Sequence, residues 1–158
     1  MSDRTGAHRL QDAIVDLQRI TNSRKLHGVR AARSGVAIAP VAGSVLRHIV
    51  EEGPVRPALL AERMRMRPSA LSRQLKVLEA EGHIERVPIP DDKRSWLVRV
   101  TRRGRGIVQR LERADEDILA GQLRNWSTAD LDMLNDLLDR LIHDLRAPAP
   151  EAPRKKVR

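Results

Sequence analysis

Ser69, Ser72, Arg73 and Lys76 are spaced by three, one and three residues, which puts two hydroxyls, a guanidinium and an ammonium on one flank of a helix. These groups bind rather than react. A guanidinium can bond guanine O6 and N7 together, whereas hydroxyl and ammonium groups hold phosphate oxygens. Arg65 and Arg67 stand just ahead of the stretch, and Lys93 and Arg94 sit in the later polar run Pro90-Asp91-Asp92-Lys93-Arg94. Taken alone, such a flank is more commonly that of a solvated surface helix, so its neighbours must decide. Covalent chemistry finds no support: no serine has a partnering histidine, Asp91 and Asp92 belong to a turn tip, and no enzyme is expected. His8, His27, His48, His83 and His143 show no metal-ligand spacing, and no cofactor is implied.

Behind the polar flank, Leu71, Leu75 and Leu78 recur at helical spacing, and Gly82 supplies a stop. A shorter helical pattern, Pro57 to Met64, precedes it, joined by the tight turn Arg65-Met66-Arg67 with Met66 as its buried plug. From His83 the period changes to two, and Ile84 to Val100 reads as a hairpin with a charged tip. Helix, turn, second helix and basic hairpin is the order of a winged helix-turn-helix, in which the second helix enters the DNA major groove. The expected class is mainly α with a small β-hairpin wing (α+β), together with a helical dimerisation region.

Composition agrees with a polyanionic partner. The chain has 158 residues and a formal net charge of +9, with a pI near 11.2. No helix joins a basic face to aromatic anchors, which favours nucleic acid over acidic lipid. Trp96 and Trp126 are the aromatics, so base stacking on single strands is disfavoured and the core must be aliphatic. The absence of cysteine excludes disulfides and thiolate metal sites. No apolar run is long enough for a membrane span and no signal peptide is evident, so a cytoplasmic protein is expected.

The flanking segments read as helices. One long helix is expected over about Ala7 to Ala32, with a kink or break where Thr21, Asn22, Ser23 and Gly28 weaken the pattern. A second begins at Pro40, and Val55-Arg56 suits a very short strand. Thr101 suits the N-cap of a helix over roughly Arg102 to Leu123, with Ile107, Val108, Leu111, Ala114, Ile118 and Leu119 inward. Its first turns carry Arg102, Arg103, Arg105 and Arg110, the unfavourable sign for a helix N-terminus, which facing phosphate or solvent would make tolerable. Ser127 with Asp130 resembles a capping box for a last helix whose leucines, Leu131 to Leu145, form an apolar stripe. The organisation expected is one winged-helix domain over residues 1–146, with dimerisation helices at 7–35 and 102–146 and a DNA-binding lobe at 40–101. Residues 147–158 read as a disordered Pro-Ala tether with a basic end.

These residues resemble a family, the MarR-type winged-helix transcription regulators. Leu-Ala-Glu-Arg-Met at 60–64 is similar to that family's third helix. Leu71 to Leu75, followed by Leu78 to Gly82, resembles its recognition helix and stop. Asp92, Arg94 and Thr101 match the pattern of its wing. The resemblance implies that Arg94 reads the minor groove with Asp92 orienting it. Arg65 stands where the family has a turn glycine, Arg67 where it has a hydroxyl N-cap, and Ala70 where a DNA-contacting threonine is common.

The function expected is therefore a sequence-specific, dimeric transcriptional regulator, a repressor released by a small ligand. Its DNA-binding residues would be Arg65, Arg67, Pro68, Ser69, Ala70, Ser72, Arg73, Lys76, Asp92, Lys93 and Arg94. Arg73 reads bases, and the two subunits span a palindromic operator of double-stranded DNA. The resemblance implies a small phenolic or anionic effector, for which position alone offers Arg24, His27, Arg30, Arg47 and His48. The alternatives are a sequence-tolerant DNA-organising protein and a winged helix used as a protein-interaction module.

Overall fold

Three helices of this chain start on a proline, where a missing N–H costs nothing because the first backbone donors of a helix are unpaired. In the computed structural model, which describes residues 2–90 and 92–147, these are α3 (Pro40–Glu52), α4 (Pro57–Arg63) and α5 (Pro68–Ala80). Ahead of them lie α1 (Ser2–Thr21) and α2 (Arg24–Ser34); after them come the strands β1 (Ile84–Ile89) and β2 (Asp92–Val100), then α6 (Arg102–Gln122) and α7 (Thr128–Arg146). The chain divides into two compact units, residues 1–118 and residues 119 onward.

In the first unit the aliphatic stripes read from the sequence meet in one core. Val45, Leu46 and Ile49 of α3, Leu60 of α4, and Leu71, Leu75 and Leu78 of α5 are buried together with Val98 and Val100 of β2 and Val108 of α6. Met64 and Met66 pack on its edge, so the turn between α4 and α5 is plugged as its sequence suggests. β1 and β2 pair antiparallel, with Ile84 opposite Val100 and Pro88 opposite Trp96. Val55 exchanges two backbone bonds with Val98, at 3.1 and 2.8 Å, and so forms the short third edge.

Three local outcomes depart from or sharpen the expectation. The amino-terminal helix is broken, not merely kinked: Ser23 caps α2 by accepting from the Leu26 N–H at 3.3 Å. β2 begins at Asp92, inside the polar run read as a turn, because the register shifts after Pro88 and sets Asp92 opposite Ile89. Leu119, expected inward, is 55% exposed, since the face of α6 covered by the core ends at Ala114.

The joint between α5, the wing and α6 is made by backbone approach. Gly82, at φ 71°, turns the chain after α5. The Thr101 hydroxyl lies 2.8 Å from the Gly82 carbonyl oxygen and accepts from the Gly104 N–H at 3.1 Å, so Thr101 caps α6 as expected. In the second unit, α7 carries the capping box: the Asp130 N–H donates to Ser127 Oγ at 3.1 Å, and the Ser127 N–H to Asp130 Oδ2 at 3.3 Å. None of the side chains of α7 is buried. The tail from residue 148 lies outside the described residues.

Candidate nucleic-acid interface

The leucine face of α5 is locked into the core, and this dictates what its other face offers. Pro68, Ser69, Ser72, Arg73 and Lys76 are exposed, with Ala70 half-buried. Arg65 and Arg67, just before the helix, are exposed as well. Among the described residues no side-chain hydrogen bond or ion pair engages Arg65, Arg67, Arg73 or Lys76. Several arginines elsewhere are paired, Arg30 and Arg47 with Asp115, Arg63 with Glu52, Arg86 with Glu79 and Arg99 with Glu85, while others such as Arg56, Arg102 and Arg105 are exposed and, among the described residues, unpaired. Four charges left without counter-ions, two just before α5 and two along its exposed flank, are free to neutralise an external polyanion. The helix N-terminus contributes in the same sense, since its first N–H groups are partly positive.

Arg65 shows what that surface costs. Its φ of 50° is left-handed, the one such non-glycine among the described residues. The turn needs this conformation so that the Met66 N–H can reach the Ala61 carbonyl at 2.8 Å. An L-residue with a side chain loses about 1–2 kcal/mol there. Arg65→Gly should therefore raise the thermal midpoint by about 2–4 °C, while weakening duplex binding by removal of a cation. Thermal unfolding and DNA titration of the same variant check both signs; unchanged affinity would remove Arg65 from the interface.

Of the expected wing residues, Asp92 is half-buried, and the side chains of Lys93 and Arg94 lie outside the described residues. Arg103 and Arg110 of α6 line a different recess, with Glu81, His83 and the 35–38 connector.

A second constellation lies in the first unit, where α2, α3 and α6 meet. His27, Arg30 and Arg47 line a cavity of about 260 Å³ with Asn22, Ser44 and Leu111. Arg24 and His48, grouped with them by position, do not line it. The carboxylate that organises the site is Asp115, which sequence reasoning missed: Oδ1 accepts from Arg30 Nε at 2.5 Å and Oδ2 from Arg47 Nη2 at 3.2 Å. Its one legible cue is its place beside Ala114 and four residues after Leu111, on the edge of the buried face of α6. Among the described residues no cluster of three or more His, Asp or Glu is placed to hold a metal ion, and no helix is long and apolar enough to cross a membrane.

Comparison with known proteins follows the same lines. Residues 38–96 match the family model described as MarR family. The HTH-type transcriptional regulator YxaD of Bacillus subtilis is 36% identical over 102 residues, covering 61% of this chain and 68% of that protein. A crystal structure of a mutant MarR from E. coli complexed with operator DNA is similar at a TM-score of 0.62 and 25% identity, over 82% of this chain and 93% of that one. A MarR family protein from Bacillus stearothermophilus shares the fold at a TM-score of 0.71 and 22% identity, over 92% of this chain and 98% of that one. With its helix-turn-helix, its wing and these relatives, the chain belongs to the MarR family.

Proposed function

We propose that this protein is a sequence-specific, dimeric transcriptional regulator that lays α5 of each subunit in the DNA major groove. The observation that carries the reading is the cation set Arg65, Arg67, Arg73 and Lys76, exposed and without internal partners around a helix whose opposite face is buried. Arg73 reads base edges; Arg65, Arg67, Ser69, Ser72 and Lys76 hold phosphates, and the wing adds Lys93 and Arg94. Dimerisation is supported by apolar side chains that remain uncovered: Leu10, Leu17 and Ile20 on α1, and Met133, Leu137, Ile142 and Leu145 on α7. In this reading residues 7–35 and 102–146 form the dimer and residues 40–101 the DNA-binding lobe. The protein acts in the cytoplasm as a repressor, with no enzymatic step. A small anionic effector would enter the cavity of His27, Arg30 and Arg47 and release the DNA. To do so it must compete with Asp115 for the two arginines.

Selection of bound duplexes from a randomised pool tests this reading. The native protein should enrich a palindrome with half-sites about one helical turn apart. Arg73→Ala should flatten preference at one position per half-site, a loss of about 1–3 kcal/mol in discrimination. Binding without enrichment would favour a DNA-organising protein, and no binding a protein-interaction module. Equal losses on selected and random duplexes for Arg73→Ala would remove it as the base reader.

A further inference from the structure

Arg86 leaves β1 and turns toward the recognition helix instead of joining the free cations. Its Nε donates to Glu79 Oε1 at 2.8 Å and its Nη2 to Oε2 at 2.9 Å, a two-point guanidinium–carboxylate pair. Its Cζ lies 4.2 Å from the ring centroid of Trp96, within cation–π range. Trp96 is in turn partly buried against the hydrophobic core. One guanidinium thus ties the end of α5 to both strands of the wing. Alongside it, a recess of about 210 Å³, lined by Ser72 and Lys76 on one side and Arg86 and Trp96 on the other, lies between α5 and the hairpin. The hairpin therefore faces the DNA-binding flank of α5 across a gap, with the Arg86 pair as a polar tie between them.

We propose that Glu79, Arg86 and Trp96 are positioning residues that set the angle of the wing to the recognition helix and withhold the Arg86 charge from phosphate. Their effect is on discrimination between DNA sequences more than on affinity. The inference rests on the DNA-binding reading above. A wing held at one angle allows base contacts and wing contacts to be made together only where the duplex supplies both. A wing free to swing finds phosphates on any sequence. The Glu79 carboxylate, beside the binding surface, adds repulsion that acts on every duplex alike, so losing it tightens binding to selected and scrambled DNA together, and the change in preference comes from the freed wing. The paired groups are partly exposed, with side-chain accessibilities of 49% and 36%, so they add little to global stability.

The test compares the native protein with Glu79→Gln and Arg86→Gln on a duplex chosen by the native protein and on a scrambled duplex of equal length. Glu79→Gln should bind the scrambled duplex more tightly, with a salt slope steeper by about 0.9 for each freed arginine that meets a phosphate. Its preference for the selected duplex should fall about fivefold to tenfold. Arg86→Gln should lose the same preference without the steeper slope. A preference within about twofold of native in both variants would overturn the proposal. A second readout needs no DNA. In a Trp126→Phe background Trp96 is the sole indole, and Glu79→Gln should increase acrylamide quenching of its emission; unchanged quenching also overturns the clamp. If instead the native protein showed no salt-dependent duplex binding, the DNA-binding reading would fail, and the quenching result would still judge the clamp.

Discussion

Raising monovalent salt from about 50 to about 200 mM should cost this protein about four orders of magnitude in duplex affinity. In each subunit Arg65, Arg67 and Lys76 have no internal carboxylate among the described residues, and one of the two proposed wing cations, Lys93 or Arg94, makes a fourth phosphate contact. Across the proposed dimer that makes roughly eight phosphates neutralised, for a log–log slope near −7. The effect is large because each neutralised phosphate releases a condensed counter-ion, a gain that vanishes as bulk salt rises. The paired arginines, such as Arg30 and Arg47 on Asp115, should contribute nothing to the slope, because their charge is already answered inside the protein. Fluorescence anisotropy of a labelled duplex over a salt series measures it. A slope shallower than about −3 would mean that fewer than four phosphates are engaged, too few for two recognition helices and two wings.

Two glycines of α6, two residues apart, should respond to alanine with opposite signs. At Gly104 a Cβ would stand 2.1 Å from the His83 carbonyl oxygen and 2.8 Å from Val100 Cγ1. The closest atom is backbone, and that carbonyl also accepts the Thr101 N–H at 3.0 Å, so it cannot swing away without breaking the joint. Gly104→Ala should destabilise the fold by about 1–3 kcal/mol or more, a drop of roughly 2–12 °C in the thermal midpoint. Duplex binding should weaken as well, since the joint that moves carries the end of the recognition helix and the root of the wing. At Gly106 nothing lies within 4 Å of the added Cβ, and the helix gains about 0.5–1 kcal/mol from the lost backbone freedom of glycine. Thermal unfolding followed by circular dichroism checks the pair. A Gly104→Ala midpoint equal to that of Gly106→Ala would mean that α6 does not need its close approach to His83.

The elements of the fold were open to reading in one dimension because each is written in a local period. Leu71, Leu75 and Leu78 announce α5, the alternation after His83 announces the wing, and Ser127 with Asp130 announces the start of α7. Prolines at 40, 57 and 68 mark three helix starts for a reason confined to one peptide unit, the missing N–H. The outward flank of α5 was legible for the same reason: a buried leucine face leaves its opposite side, with Ser69, Ser72, Arg73 and Lys76, to solvent. Arg65 in a left-handed turn was foreseeable from the residue type that position usually carries.

Pairings between distant segments had no such cue. Asp115 lies 85 residues from Arg30 and 68 from Arg47, and nothing in the neighbourhood of any of the three betrays the other two. Glu79 and Arg86 are closer in sequence, yet as single residues they look like two more solvated charges. Trp96 reads simply as a core residue of a strand. Gly104 looks like a weak point in a helix until the His83 carbonyl is seen against it. Amino-acid order alone specified the helices, the wing and the flank that faces outward, since these follow from periodicity and backbone chemistry over a few residues. Which charges are spent on partners inside the protein, and which stay unpaired at its surface, was decided by the tertiary structure, because a contact between remote segments exists only once the chain has folded.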